Sequence, residues 1–252
     1  MRKNLMDYND YRKVIYKDYI TNIFHEDHKI DNVKKEYSIY YKYFKKNYSK
    51  YLPNNKGAKI LDIGCGIGGC LNYLIEEGYS NSEGIDNSRE IVDFCINNNL
   101  PVKKANMTEF LKKNENTYDV IIFNDVIEHL NKEEIFEILK LISGSLKKDG
   151  ILISKTPNMT NPLLASAGKD IDFTHEVGFT ELSLKEILRV SGFTDVYVFG
   201  SDIYVFYLNP LNYIAKFSSF VISKCLYLLS YLYGRKSLKI YTKDLVAVAQ
   251  KE

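Results

Sequence analysis

Tryptophan is absent from these 252 residues, and cysteine, histidine and proline are scarce, with four, four and five copies. The cysteines, Cys65, Cys70, Cys95 and Cys225, form no C-x-x-C pair and no metal-like spacing. That excludes a zinc ribbon and a disulfide framework, and it fits reduced thiols in a cytoplasmic protein. The N-terminal "MRKNLMDYNDYRK" lacks the apolar core of a secretory signal. Neither sign of charge dominates: Lys plus Arg is 34, Asp plus Glu is 32, and the net is +2. This balance argues against a nucleic-acid partner and against an acidic tail. No uncharged run is long enough to span a bilayer. The nearest approach, "LNYIAKFSSFVISKCLYLLSYLYG" at 211–234, is interrupted by Lys216 and Lys224. Its apolar residues recur near helical spacing, so it is expected to be a helix or helix pair that covers a site or forms a homodimer contact. A helix lying on a membrane surface is the alternative. Repeats and low-complexity segments are also missing.

What is present is an alternation. Residues 1–56 read as aromatic helices, closed by Pro53 and "NNKG". From there strands and helices take turns: "AKILDIG", "GGCLNYLIEEG", "SEGID", "SREIVDFCINNN", "PVKKAN", "DVIIFND", "KEEIFEILKLISGSLKK", "GILISKT", "SLKEILRVSG", "TDVYVFG" and finally "KIYTKDLVAVAQK". Ser88 is placed to cap one helix, and Ser183 with Glu186 to form a capping box on another. Gly78 and Gly192 stand where helices end. This order predicts a doubly wound, Rossmann-like α/β sheet of seven strands, mostly parallel. One domain is expected over 1–252: a helical extension (1–56), a core (57–200), a helical lid insert (203–235) and a last strand (236–252).

The stretch "ILDIGCGIGG" carries Gly64, Gly66 and Gly69 in G-x-G-x-x-G spacing, with Gly68 as a fourth glycine. A tight turn from strand to helix, and a ligand that touches backbone, both call for glycine. Asp62 narrows the choice of ligand. A pyrophosphate is disfavoured by a carboxylate beside the helix N-terminus, whereas a ligand with an ammonium and a sulfonium is favoured. S-adenosylmethionine is such a ligand. Asp86, at the end of "SEGID", is placed to accept both hydroxyls of a ribose.

Taken in order, "ILDIGCGIGG", "EGID", "ANMTEF", "YDVIIFNDVIEHL", "LKKDGILISKTPN" and "THEVGFTELSLKEILRVSGF" resemble the class I S-adenosylmethionine-dependent methyltransferases over about residues 36–200. "KDLVAVAQK" fits that family's antiparallel last strand. "TPN", "THEVGFT" and the aromatic insert resemble, more narrowly, small O-methyltransferases of surface-polysaccharide and sugar-nucleotide pathways. The resemblance implies that Gly64, Cys65, Gly66 and Gly68 pass along the methionine part of S-adenosylmethionine, and that Asp62 orients its amino group. It implies Asp86 and Asn87 at the ribose, and Asn106 and Met107 against the adenine, with Asn106 standing where the family usually has an acid. It places Asn124 near the sulfonium, and Glu128 and His129 close to the methyl group.

Methyl transfer to a sugar hydroxyl needs a base, because a neutral alcohol is a poor nucleophile. His175, in the polar loop after the fifth sheet strand, is the expected base, with Asp172 three residues earlier to orient it. His129 is the second candidate. His25 and His28 read as solvated residues of the extension. Asp125, Asp172, His175 and Glu176 offer the ligands of a divalent metal site, though nothing in their spacing demands one, and no metal is expected. The expected partner is a small-molecule acceptor, a nucleotide sugar, with no nucleic acid and no transmembrane segment. The rivals are methylation of a phenol, quinone precursor or amine, and a binding module that has lost its chemistry. A nicotinamide-dependent oxidoreductase is disfavoured by Asp62 and by the lack of a Tyr-x-x-x-Lys relay.

Overall fold

Val120, Ile121, Ile122 and Phe123 form an unbroken apolar run, and all four are buried at the middle of the sheet. A strand covered on both faces has no solvent side, so its residues do not alternate. The computed structural model describes Arg12, Ile15, Tyr16, residues 33–201 and residues 210–252. In it β4 (Tyr118–Asn124) lies between β1 (Ile60–Ile63) and β5 (Leu146–Pro157). The others are β2 (Ser82–Asp86), β3 (Val102–Lys104), β6 (Phe193–Ser201) and β7 (Asp244–Lys251), and the sheet order is β3-β2-β1-β4-β5-β7-β6. Strands β1 to β5 pair in parallel, and β7 runs antiparallel between β5 and β6. This is the expected seven-stranded, Rossmann-like sheet. The chain winds outward from β1 to β3 and restarts at β4. That reversal leaves a crevice at the carboxyl ends of β1 and β4, where doubly wound sheets take their ligands.

Eight α-helices accompany the sheet among the described residues: α1 (Val33–Tyr48), α2 (Gly69–Glu76), α3 (Arg89–Asn97), α4 (Met107–Lys112), α5 (Lys132–Ser145), α6 (Ala165–Asp170), α7 (Glu181–Val190) and α8 (Pro210–Leu232). In α5 the apolar residues Ile135, Ile138, Leu139 and Ile142 share one buried face, and Asn131 with Glu134 caps its start reciprocally. Ser88 caps α3 as expected, accepting from the Ile91 amide. In α1 the buried rings are Tyr37, Tyr43, Phe44 and Tyr48, and the last three pack with Tyr73 of α2 over the sheet. The aromatic residues expected in the extension thus supply core in α1. Apart from Arg12, Ile15 and Tyr16, residues 1–32 of the predicted extension, His25 and His28 among them, lie outside the described residues, as do residues 203–209 of the insert.

Several boundaries differ from the sequence reading. The capping box of α7 is Thr180 with Ser183, not Ser183 with Glu186. Thr180 is still extended (φ −105°, ψ 167°), and its hydroxyl accepts from the Ser183 amide, while the Ser183 hydroxyl accepts from the Thr180 amide. Ser183 already stands in the first turn, so no N-cap amide remains for Glu186. Strand β5 begins at Leu146, because Leu146 pairs with Tyr118 across a bulge. Lys147 and Lys148 are thus strand, not the tail of α5. The short helices α4 and α6 were not foreseen, and β7 starts at Asp244, not Lys239.

Candidate active site

A cavity of about 580 Å³ opens along the carboxyl ends of the central strands. The glycine turn after β1 forms one wall. At Gly64 the backbone is left-handed (φ +65°), and a Cβ would lie 2.5 Å from a methyl of Val126. Any other residue would strain the turn and displace the segment after β4. Gly69 serves packing as well: it opens α2, and a Cβ there would meet the Tyr40 ring of α1 at 2.7 Å. Asp62, Gly64, Cys65, Gly66, Asp86, Asn87, Asn106, Met107 and Asn124, all expected at the cofactor, line this cavity. Gly68 does not. It is the N-cap of α2 and lies against Leu100.

The polar groups of this wall are specific. Asp62 is 2% exposed, and its Oδ2 is buried with no partner. Burial, and then the Asp86 carboxylate, push the Asp62 carboxyl up to about 8. Tyr48 donates its hydroxyl to Asn124 Oδ1 at 2.6 Å, which leaves Asn124 Nδ2 buried and without a partner. One wall thus offers a lone carboxyl oxygen and a lone amide N–H, which match the ammonium and carboxylate of an amino-acid group. The methionine end of S-adenosylmethionine has that pair, so the residues present fit the cofactor. Asp86 accepts from the Ser88 amide (2.8 Å) and the Gly66 amide (3.3 Å), and it keeps lone pairs for hydroxyl donors. Its carboxyl lies above the ordinary value, because burial outweighs the backbone hydrogen bonds it accepts. Asn106 caps α4 by accepting from the Glu109 amide at 3.1 Å, so its amide oxygen is already shared with the helix.

The opposite wall is built after β4. Asp125 pairs with Lys155 at 2.6 Å, and a 3₁₀ turn, Ile127–His129, brings His129 to the cavity. The Glu128 carbonyl accepts from the Glu176 and Val177 amides, at 2.7 and 3.1 Å, and so fastens the 172–177 loop onto this turn. Thr174 donates its hydroxyl to Asp172 Oδ1 at 2.7 Å and lies 2.6 Å from His129 Nδ1. With the hydroxyl proton committed to Asp172, Nδ1 must be the donor to Thr174. Nε2 of His129 is then the acceptor. Burial, and then the neighbouring His175, lower His129 to about 4, so the ring is neutral at neutral pH.

His175, the base expected from the sequence, does not line the cavity. Its Nδ1 lies 2.8 Å from the Gly168 carbonyl, and its ring meets His129 edge-on with centroids 4.6 Å apart. Asp172 acts one step removed, through Thr174. Glu128 is buried behind the wall and accepts from Thr156 at 3.1 Å. Burial, and then Asp125, hold its carboxyl well above the usual range. The quartet Asp125, Asp172, His175 and Glu176 does not form a cluster. Among the described residues the ligand atoms of Glu128, His129 and His175 come within 4.8 Å of one another instead. The protonated form that burial favours for Glu128 is a donor and a poor ligand.

Sequence reasoning missed Arg12 and Tyr16, which line the cavity from the N-terminal side. Arg12 bridges Glu134 (2.9 Å) and Glu176 (3.6 Å), and the Tyr16 ring stands edge-on to His129 at 6.5 Å. Nothing in a Lys- and Tyr-rich stretch marks these two residues, because only the fold brings them to the site. The insert was expected to roof the cavity, but no residue of α8 lines it.

Residues 37–198 match a family profile described as a methyltransferase domain. The chain is 32% identical over 109 residues to a ubiquinone biosynthesis O-methyltransferase of Pelagibacter ubique, over 42% of this chain and 44% of that protein. It is 32% identical over 103 residues to a phosphoethanolamine N-methyltransferase of Plasmodium falciparum, over 39% of each. These matches span less than half the length of the curated relatives. Among solved structures, an S-adenosylmethionine-dependent methyltransferase from Archaeoglobus fulgidus superposes with a TM-score of 0.62 and 26% identity, over 84% of this chain and 94% of that one. With the profile covering most of the chain, and a cavity that fits the cofactor, the chain belongs to the methyltransferase-domain family, with S-adenosylmethionine as its cofactor.

Proposed function

We propose that this chain methylates a hydroxyl group of a small molecule and that His129 takes the hydroxyl proton. The observation that carries this reading is the Asp172–Thr174–His129 chain, which fixes the tautomer and leaves Nε2 as an acceptor in the cavity wall. S-adenosylmethionine supplies an electrophilic methyl on a good leaving group. The protein's part is alignment and proton removal. Asp62 and Asn124 hold the amino-acid end, the backbone of Gly64, Cys65 and Gly66 follows it, Asp86 and Asn87 hold the ribose, and Asn106 and Met107 flank the base. As His129 gains a proton, Asp172 stabilises the imidazolium through Thr174. His175 and Glu128 are positioning residues: one packs against the imidazole, and the other anchors the loop through its carbonyl.

For the acceptor we propose a sugar hydroxyl, carried on a nucleotide. The support is the resemblance of "TPN" and "THEVGFT" to sugar-modifying relatives. A second reading, a phenol of a quinone precursor, is favoured by the rings of Tyr16, Tyr40 and Phe44 on the cavity and by the quinone-pathway relative. A labelled-methyl transfer screen over nucleotide sugars, catechols and amines, run with the parent and His129→Ala, tests both. Methylation of a hydroxyl that His129→Ala abolishes is the expected result. Turnover of amines alone, unaffected by His129→Ala, would sink the proposal. S-adenosylhomocysteine binding without turnover of any acceptor class would favour the binding module.

A further inference from the structure

Helix α8 is built inside out. None of its residues is buried. The half-buried positions are Asn212, Ala215, Ser219, Ser223, Leu226 and Ser230, which recur every three or four residues and so form one face. That face is mostly small and polar. On the opposite side stand Ile214, Phe217, Val221 and Leu228, between 41% and 68% exposed. A helix of a freely soluble protein turns its apolar stripe inward, and an exposed patch this continuous marks a contact surface.

Charge says what the contact is. No Asp or Glu occurs between Asp202 and Asp244, while Lys216, Lys224, Arg235, Lys236, Lys239 and Lys243 all do, in a chain whose charges otherwise nearly balance. The Lys224 ammonium lies over the Phe220 ring, and that of Lys236 over Tyr231. Tyr213, Tyr227, Tyr231 and Tyr233 are exposed as well. Basic side chains with apolar stems and amphipathic rings belong at a boundary between hydrocarbon and water. A second copy of the same surface would set these cations against one another with no acid in the segment to pair them.

Position adds a further argument. The Tyr241 carbonyl accepts from Ser223 of α8 (3.4 Å) and from Asn161 (2.8 Å). Tyr241 just precedes β7, whose Asp244 pairs with Pro157 at the carboxyl end of β5. Helix α8 therefore sits at the edge of the sheet where the cavity opens. Beside it runs the loop after β5, which exposes Leu163, Ile171 and Phe173.

We propose that α8 and the basic segment after it dock flat on an anionic lipid bilayer, with the carboxyl edge of the sheet turned toward the lipid. No helix among the described residues is long and apolar enough to cross a membrane, so the contact is interfacial. The test is flotation of the full chain with vesicles of phosphatidylcholine alone, or mixed equally with phosphatidylglycerol. The mixed vesicles should carry the protein at least about tenfold better, and salt should release it. The variants F217S/V221S/L228S and K216E/K224E should each lower that partition by about tenfold or more. Their circular dichroism and S-adenosylhomocysteine affinity should match the parent, since none of these residues is buried or lines the cavity. Failure of folded parent protein to float with anionic vesicles would overturn the proposal. A stable dimer that F217S/V221S/L228S splits, without vesicle binding, would do the same and assign the surface to a second copy.

Discussion

In the proposed reaction one wall of the cavity is assigned to the cofactor and the opposite one to the acceptor, and the two are made differently. The cofactor wall comes mostly from neighbouring residues at the ends of β1 and β2, and much of its work falls to backbone: the turn at Gly64–Gly66 and the amides that Asp86 accepts. The acceptor wall is made of side chains gathered from distant segments. Arg12 and Tyr16 come from the N-terminal side, His129 from the turn after β4 and Lys155 from β5, and Asp172 and Thr174 back His129 from the loop beyond. The first wall is largely a local motif of two adjacent strands, closed by Asn124 of β4. The second exists only after the whole sheet is assembled. Damage to one should therefore leave the other intact.

The largest expected effect is on the acceptor wall alone. His129→Ala should lower kcat by about a hundredfold to ten-thousandfold, the range for a lost general base. The S-adenosylhomocysteine affinity should stay within about threefold, and titration calorimetry alongside turnover checks both. Thr174→Val should reproduce part of the loss, because Nδ1 loses its acceptor and the tautomer is no longer fixed. An unchanged kcat in His129→Ala would break the division of labour. The converse experiment is Asp86→Ala, which removes charged hydrogen bonds from the cofactor wall. The S-adenosylhomocysteine affinity should weaken by about tenfold to a hundredfold, with kcat at saturating cofactor largely retained.

A proton sharpens the contrast further. In the free protein burial holds the Asp62 carboxyl up at about 8, against an ordinary value near 4. The folded chain therefore keeps a proton there that the unfolded chain releases. This site's contribution to stability is full below pH 4 and is lost as pH rises through about 8. A ligand ammonium that pairs with Asp62 needs the ionised form, so binding below pH 8 should release close to one proton. S-adenosylhomocysteine should then bind more tightly as pH rises from 6 to 8, by up to about tenfold per unit, and level off above. Calorimetry in buffers of different ionisation enthalpy reads the proton directly, and Asp62→Asn should abolish the release. No proton release at pH 7 in the parent would mean that the ammonium goes elsewhere.

The same contrast explains what could be read from the sequence. The sheet was legible because strands buried on both faces give unbroken runs such as Val120–Phe123, and because glycines follow the helices ahead of β2 and β6. Most residues expected at the cofactor do line the cavity, and they stood out because they are near neighbours in sequence. The acceptor wall was only half legible. Asp172 and His175 were picked from a polar loop, but the ring that reaches the cavity is His129, and the link between them, Thr174, carries no sequence signal at all. Gly68 was assigned to the ligand because a glycine cluster does not say which member meets the ligand and which turns the helix. The inverted burial of α8 was invisible for a related reason: helical spacing tells which residues share a face, and the outward direction of that face is set by the body it packs on.

The smallest effect tests the frame that carries the acceptor wall. The 172–177 loop leads into α7, which is fixed by the reciprocal bonds of Thr180 and Ser183. Thr180→Ala removes the hydroxyl that satisfies the Ser183 amide and should lower stability by about 1 kcal/mol. Ser183→Ala leaves the forward bond to its own amide and removes only the return bond, so it should cost less. Glu186 is exposed and outside the cap, so Glu186→Ala, which removes any capping oxygen, should leave the denaturation midpoint nearly unchanged. Chemical denaturation of the three variants orders them. None should alter S-adenosylhomocysteine affinity, because α7 contributes nothing to the cofactor wall. If Glu186→Ala destabilised the chain as much as Thr180→Ala, the helix would begin where the sequence pattern alone places it, and the loop that holds Thr174 against His129 would be anchored one turn later.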